Sequence, residues 1–536
     1  MQRARPAARR VRAALAISVS VSLLAVACAG GSAPVVVDAE PSPPPSTAAD
    51  SLPDPIEPSD ATGQASGTAP TTSATPSASV TPAGTVPDGE VSRSLSAGDP
   101  RFPGLGSSDI DVEHYEVALG FDLAAMSIEG TVVLELTTLV VTDQVSLDAE
   151  DLDVMMVTVD GAARPFLNAD RELTITLDEP VAAGTPLLVE VEYTAQLDSS
   201  QQFGDDAGIF VTPDGIWSVN EPDGVSTWMP ANDHPTDKAA WTFTLTVPSE
   251  HVAVANGELV GTTEVGAGAP GGVSTWRWDQ AEPMAPYLAL LLVGKYELVD
   301  AGSTPSGVRL EHAALDGAVD SLDDYTDVTL EQFAYFEGLF GPYPFDRYGL
   351  AITDSTPGLA METQGRSLFS DADLDGSLGF LQHLLLAHEL AHQWFGNAVS
   401  PGTWDDIWLN EGFATYAQWL WLDQVGLASL GELASGSLAG LPDSGGPVAR
   451  PDQLFGPVSY TGGGVVLHAL RLEVGDDAFF AGLQRWAAEY RFDVATTDDF
   501  RAVMEDVSGA DLRSFFESWV ETEDRPDRFP DAGEDI

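Results

Sequence analysis

The chain contains eight histidines, and two of them, His388 and His392, fall four residues apart with Glu389 between them, in "LGFLQHLLLAHELAHQWFGN". In a helix, positions i and i+4 lie about 40° apart around the axis, so both imidazoles project from one face. Two imidazole nitrogens so placed can share one Zn²⁺ at about 2.0–2.1 Å each. Glu389 stands roughly 100° round, close enough to reach a water on that ion without being a ligand. Two ligands and a general base are the parts needed for metal-assisted hydrolysis of a peptide bond. A catalytic zinc keeps one position open and therefore needs a third protein ligand. Nineteen residues after His392, Glu411 appears in "WLNEGFATY", inside an apolar, tryptophan-rich stretch. A carboxylate buried there requires a partner, and a cation at the histidine pair supplies one.

The elements that hold these residues divide by period. From about Ser107 to Asp300, short alternating runs such as "HYEVALGFDL", "IEGTVVLELTTLVV", "RELTITLDE", "PLLVEVEYTAQL" and "AAWTFTLTVP" predict strands separated by turns. From about Ala301, "SLDDYTDVTLEQFAYFEGLFG", "EGFATYAQWLWLDQVG", "DDAFFAGLQRWAAEYRF" and "DLRSFFESWVETE" carry helical spacing, with short strands such as "YGLAITDS" among them. The expected class is α+β and multidomain. A β domain spans 107–300, an α-rich domain that houses the chemistry spans 301–525, and an acidic tail spans 526–536.

The bulk properties set the setting. Lys and Arg number 23 against 83 Asp and Glu, a net charge of −60, which opposes nucleic acid as a partner. At 536 residues and 44% hydrophobic the chain is long enough for several domains and a large core. Residues 1–28 carry Arg3, Arg5, Arg9, Arg10 and Arg12, no acid, and the apolar run "AALAISVSVSLLAVA". That run is shorter than the roughly 20 residues of a membrane span and reads as an export signal. It ends at Cys28, the single cysteine, so no disulfide forms within the chain. "LLAVAC" resembles a bacterial lipobox, which implies lipid attachment at Cys28 and an extracytoplasmic, membrane-tethered protein. The alternative is an ordinary signal and secretion, since Ala25 stands where lipoboxes usually have leucine. Residues 29–106, as in "PSPPPSTAAD" and "TAPTTSATPSASVTPAGTVP", have the composition of a disordered tether, with an r.m.s. reach of roughly 50 Å.

"HELAHQWFGN", the eighteen-residue gap and "WLNEGFATY" resemble peptidase family M1, the zinc aminopeptidases of the gluzincin group. "STWMPANDHPTDKAAWTFTLTVP" is similar to the family's N-terminal β domain, and "FEGLFGPYPFDRYGLAITD" to the opening of its thermolysin-like catalytic domain. The resemblance covers roughly residues 107–525. It implies a β sandwich or saddle followed by a thermolysin-like zinc peptidase domain, with one zinc per chain held by His388, His392 and Glu411, Glu389 as base, and peptides with a free N-terminus as substrates. "LAMET" resembles the family's Gly-Ala-Met-Glu-Asn strand, which assigns Glu362 to the substrate α-ammonium. Leu359 and Thr363 replace the family's glycine and asparagine. Glu221, in "NEPDG", lies nine residues before Pro230 and corresponds to a second ammonium anchor; a turn glutamate is the alternative. "SYTGGG" resembles the Ser-Tyr-Glu-Lys-Gly segment, which assigns the oxyanion donor to Tyr460, with Thr461 and Gly462 departing from the pattern. Asp406 is a candidate orienter of a ligand histidine, while His383, Tyr416, Asn410 and the nearby tryptophans read as structural. Endopeptidase or epoxide-hydrolase chemistry on the same zinc, or a non-catalytic tethered binding protein, are the alternatives. Oligomeric state is not legible.

Overall fold

The computed structural model describes residues 90–197, 207–212, 215–266, 268, 271–319, 322–355, 359–374 and 379–530. The export signal, Cys28 and the tether up to residue 89 lie outside the described residues.

The first half is built from strands whose side chains alternate between interior and surface. Ile110–Asp122 is representative: Val112, Tyr115, Val117 and Leu119 are buried, and the residues between them mostly face out. This strand pairs in parallel with Ala239–Pro248 and antiparallel with Ser127–Thr138. They form the middle of an eight-stranded sheet ordered Glu258–Val265, Val273–Met284, Ala239–Pro248, Ile110–Asp122, Ser127–Thr138, Pro186–Gln196, Asp153–Val159, Ala162–Ala163. A three-stranded sheet around Glu172–Val181 and a four-stranded sheet from Gly208–Thr212 to Val252–Ala255 complete the β half. Its apolar core takes in Leu359, Met361, Trp404 and Ile407 of the second half, which also has a core of its own.

The second half begins with a sheet whose inner strands Arg309–Leu315, Leu350–Thr353 and Ser367–Ser370 run parallel, with Ala360–Met361 antiparallel at the edge. Against it lie helices α1 (Leu322–Phe340), α2 (Gly379–His392), α3 (Trp408–Gln424), α4 (Leu430–Gly440), α5 (Gly463–Val474), α6 (Asp476–Glu489), α7 (Thr497–Ser508) and α8 (Arg513–Trp519). Helix α3 is buried from Trp408 to Leu422, and α2 from Leu384 to His392. A helix apolar on every side belongs in the middle of a domain, which is why ionisable groups on these two helices must find partners in the interior.

Two expected boundaries differ. Residues 90–106, expected to close the tether, lie along the β half: Ser92 bridges to Thr142, and Arg93 pairs with Asp143. Asp99 also accepts from Trp404 N at 2.7 Å. Their polar composition serves hydrogen bonds rather than solvation. The strand Tyr296–Ser303 straddles the expected break at 300/301, because it pairs with Arg309–Leu315 in the second sheet. Its alternation alone could not reveal which sheet it joins.

Candidate active site

Helix α2 brings His388 and His392 to one face, ring centroids 4.6 Å apart. Helix α3, packed beside it, presents Glu411 from its first turn, where exposed N–H groups favour a carboxylate. Glu411 Oε2 lies 3.1 Å from His388 Nε2 and 3.5 Å from His392 Nε2. Ligands at about 2.0–2.1 Å around a tetrahedral zinc stand about 3.3 Å from one another, so the spacing fits a shared ion. The donor set of two imidazoles and one carboxylate fits zinc as well. All three side chains are buried. His392 Nδ1 lies 3.1 Å from Phe395 O; donating there fixes the tautomer and leaves Nε2 free to ligate. The turn that brings Phe395 back passes through Gly396 at φ +122°, where a side chain would also crowd His392 Nδ1 at 3.3 Å.

The electrostatics follow from burying five ionisable groups together. Burial alone would raise Glu411, but His392 and His388 bring it down to about 2, so it is ionised and faces the imidazoles. Burial would lower His392, but Glu362 and Glu411 raise it to about 10. Burial lowers His388. Burial pushes Glu389 well above the ordinary carboxylate range; His392 opposes this, and Glu362 and Glu411 add to it. Such an excess of interior carboxylates is what a cation bound at His388, His392 and Glu411 relieves.

Glu362 follows the edge strand Ala360–Met361. Its Oε1 stands 4.0 Å from His392 Nδ1 and has no hydrogen-bond partner. Glu221 comes from the β half and is half-buried, with its Oε1 enclosed and without a hydrogen-bond partner. Burial, then the negative charges of nearby Glu362, Glu411 and Glu389, raise it well above its usual range. Tyr460 sits in a π-helical turn, Val458–Gly462, ahead of α5; single π turns of this kind recur at functional sites. Its ring stacks on His388 at 5.9 Å. Helices α3 and α5 approach so closely that a methyl group placed on Gly412 would lie 2.6 Å from Gly463 Cα.

The structure thus brings together His388, Glu389, His392, Glu411, Glu362, Glu221 and Tyr460. It does not bring in Asp406, whose Oδ1 accepts from the Thr497 hydroxyl at 2.6 Å and anchors α7 instead. His383 accepts from Trp421 Nε1, and the Tyr416 hydroxyl meets His468, both as packing. Three residues around the site, Gln393, Asn397 and Tyr287, went unassigned in the sequence, and a fourth, Asn410, was read as structural. Gln393 and Asn397 bond the Glu362 backbone, and the Tyr287 hydroxyl donates to Gly396 O while accepting from Asn410 Nδ2. The available signal was an amide inside an apolar run, which must find a partner when buried.

Residues 325–435 and 442–519 match the Peptidase family M1 domain, and residues 111–288 match the Peptidase M1 N-terminal domain. Human endoplasmic reticulum aminopeptidase 1 is 25% identical over 424 residues, 72% of this chain and 44% of that protein. Probable aminopeptidase 2 of Sulfurisphaera tokodaii is 26% identical over 442 residues, 78% of this chain and 54% of that protein. The chain spans about half the length of these curated relatives. The crystal structure of M1 zinc metallopeptidase from Deinococcus radiodurans superposes with a TM-score of 0.71 at 26% identity, covering 82% of this chain and 99% of that one. A two-domain M1 zinc metallopeptidase variant bound to L-arginine gives 0.73 at 28% identity, covering 82% of this chain and all of that one.

Proposed function

We propose that this chain, which belongs to peptidase family M1, is a zinc aminopeptidase that removes single residues from the free N-termini of peptides. One observation carries the reading: Glu362 and Glu221 each hold an enclosed Oε1 with no hydrogen-bond partner, Glu362 directly beside the three-ligand zinc set. Unpaired interior carboxylates cost several kcal/mol, and a substrate's α-ammonium, with a pKa near 7.7–8.0, is the cation that suits them.

His388, His392 and Glu411 would hold the zinc, which when bound would supply Lewis acidity and lower the pKa of a water. Glu389 accepts the proton of the attacking water at a carboxylate oxygen and delivers it to the leaving amine. The Tyr460 hydroxyl donates to the developing oxyanion. Glu362 and Glu221 hold the ammonium, so the bond presented is the first of the chain. The buried walls exclude bulk water and strengthen each of these interactions.

Export and lipid attachment at Cys28 complete the reading. The five early arginines, the apolar run and the single cysteine at its end support them. An enzyme tethered in this way works on peptides outside the cytoplasm.

The test compares a peptide with its N-acetylated twin on the zinc-loaded chain. Release of one residue at a time from the free peptide, with the acetylated one resistant, is the expected result. Equal cleavage of both would overturn the reading in favour of an endopeptidase.

A further inference from the structure

Glu362 leads from the edge strand into a tight turn, in which Arg366 N donates to Thr363 O at 3.1 Å and Gly365 adopts φ +73°. The ladder bonds of the strand involve Ala360 and Met361 and stop short of Glu362. Thr363 turns its hydroxyl onto Arg366 O within the same turn. Neither feature fixes Glu362 against the zinc-binding helix.

Two amides do. Gln393 and Asn397 follow the last α2 ligand and are fully buried. Gln393 Nε2 donates to Glu362 O at 2.9 Å, and Asn397 Nδ2 donates to the same oxygen at 2.6 Å. A carbonyl oxygen has two lone pairs, and both are taken. Gln393 Oε1 also accepts from Gly365 N at 2.9 Å, so one side chain grips both ends of the turn. Asn397 is braced in turn by the β half, because Lys238 Nζ donates to Asn397 O at 2.8 Å and to Ala398 O at 3.1 Å.

The geometry points to Gln393 and Asn397 as positioning residues that set the separation between the zinc ligand His392 and the ammonium anchor Glu362, and so confine cleavage to the first peptide bond. This rests on the aminopeptidase reading, in which Glu362 binds the ammonium. A misplacement of about 1 Å in such a site costs on the order of 100-fold, so the spacing must be held by stiff bonds such as these, which occupy both lone pairs of Glu362 O.

The test uses Gln393→Met and Asn397→Leu, close in volume but unable to donate, with Glu362→Gln as reference, all in the full zinc-loaded chain. Each is assayed on the best substrate of a twenty-member aminoacyl-p-nitroanilide panel and on its N-acetyl derivative, with zinc content and calorimetric binding of the free amino acid measured alongside. Zinc should remain at one per chain. KM should rise more than kcat falls, amino acid affinity should drop, and the preference for the free amine should fall at least tenfold. In combination with Glu362→Gln each should add little, because all act on one contact. Lost zinc, or a fall in kcat with KM and preference unchanged, would mean the amides serve His392 instead and would overturn the proposal, as would silent variants beside a normal Glu362→Gln effect. A silent Glu362→Gln, or a wild-type chain that cleaves both substrates equally, would remove the anchor role itself and the proposal with it.

Discussion

Helices α3 and α5 meet backbone to backbone at Gly412 and Gly463, and that contact lies between two parts of the site. Glu411 precedes Gly412, and Tyr460 stands one turn before Gly463. A methyl group at Gly412 would sit 2.6 Å from Gly463 Cα and 2.9 Å from its carbonyl carbon; one at Gly463 would sit 2.5 Å from Gly412 Cα. Carbon atoms rest at about 3.5–4.0 Å, so Gly412→Ala must part the helices by about 1 Å. Overpacking of that kind costs about 1–3 kcal/mol, and in a domain of this size each kcal/mol lowers Tm by about 2–4 °C. The chemistry should suffer more. Moving α5 carries Tyr460 away from His388, on which it stacks at 5.9 Å, and 1 Å there is worth about 100-fold in kcat/KM. The three zinc ligands lie on α2 and α3, so the metal should stay. Gly463→Ala should behave alike, and the double variant should lose less than the sum. Metal analysis, thermal unfolding and kcat/KM on one preparation decide the matter. A Gly412→Ala protein with native Tm and native turnover would refute the argument that this contact sets the tyrosine.

Glu389→Gln should keep its zinc and lose on the order of 10²–10⁴-fold in kcat, read by single-turnover assays on metal-analysed protein. Tyr460→Phe should lower kcat by about 10²–10³-fold while KM changes little. Stripping zinc with a chelator should abolish hydrolysis and lower Tm, because a ligand that binds only the folded state adds stability; readdition should restore both. His312 is buried, accepts from Leu350 N at Nδ1 at 3.0 Å, and donates from Nε2 to the Thr326 hydroxyl at 3.0 Å; burial and then Arg366 lower it to about 4. Between that value and 6.5 the unfolded chain binds a proton that the folded one refuses, so stability falls as pH drops through this window, by about 3 kcal/mol at about 1.36 kcal/mol per unit. Denaturant titrations from pH 7 to 4 should show a shallower acid slope for His312→Gln than for the wild type.

The parts of the site legible in the sequence are those whose chemistry dictates both residue type and local spacing. His388, Glu389 and His392 announce themselves within one helical turn and a half. Glu411 does so because a carboxylate among tryptophans needs a cation. The change from a two-residue to a helical period likewise separates the two halves of the fold. What escaped depends on long-range packing. Asp406 sits near Glu411 in sequence, yet Thr497 on α7 claims it. Gln393 and Asn397 lie inside the quoted zinc motif, but their partner, Glu362 O, is 31 and 35 residues away. The Gly412–Gly463 contact spans fifty residues, and a glycine carries no mark of which backbone it must admit.

The carboxylates proposed to hold a substrate's amine come from separate halves of the chain, Glu221 from the first and Glu362 from the second, and Lys238 ties the first half to the loop beneath the second. Synthesis proceeds from the β half onward, so the terminus reader is half built before the first zinc ligand leaves the ribosome. Cutting between the halves would expose Leu359, Met361, Trp404 and Ile407, which pack into the core of the first half. Joining the halves is therefore a safeguard as well as a scaffold, since it withholds a complete blade until the guard that limits its reach is in place.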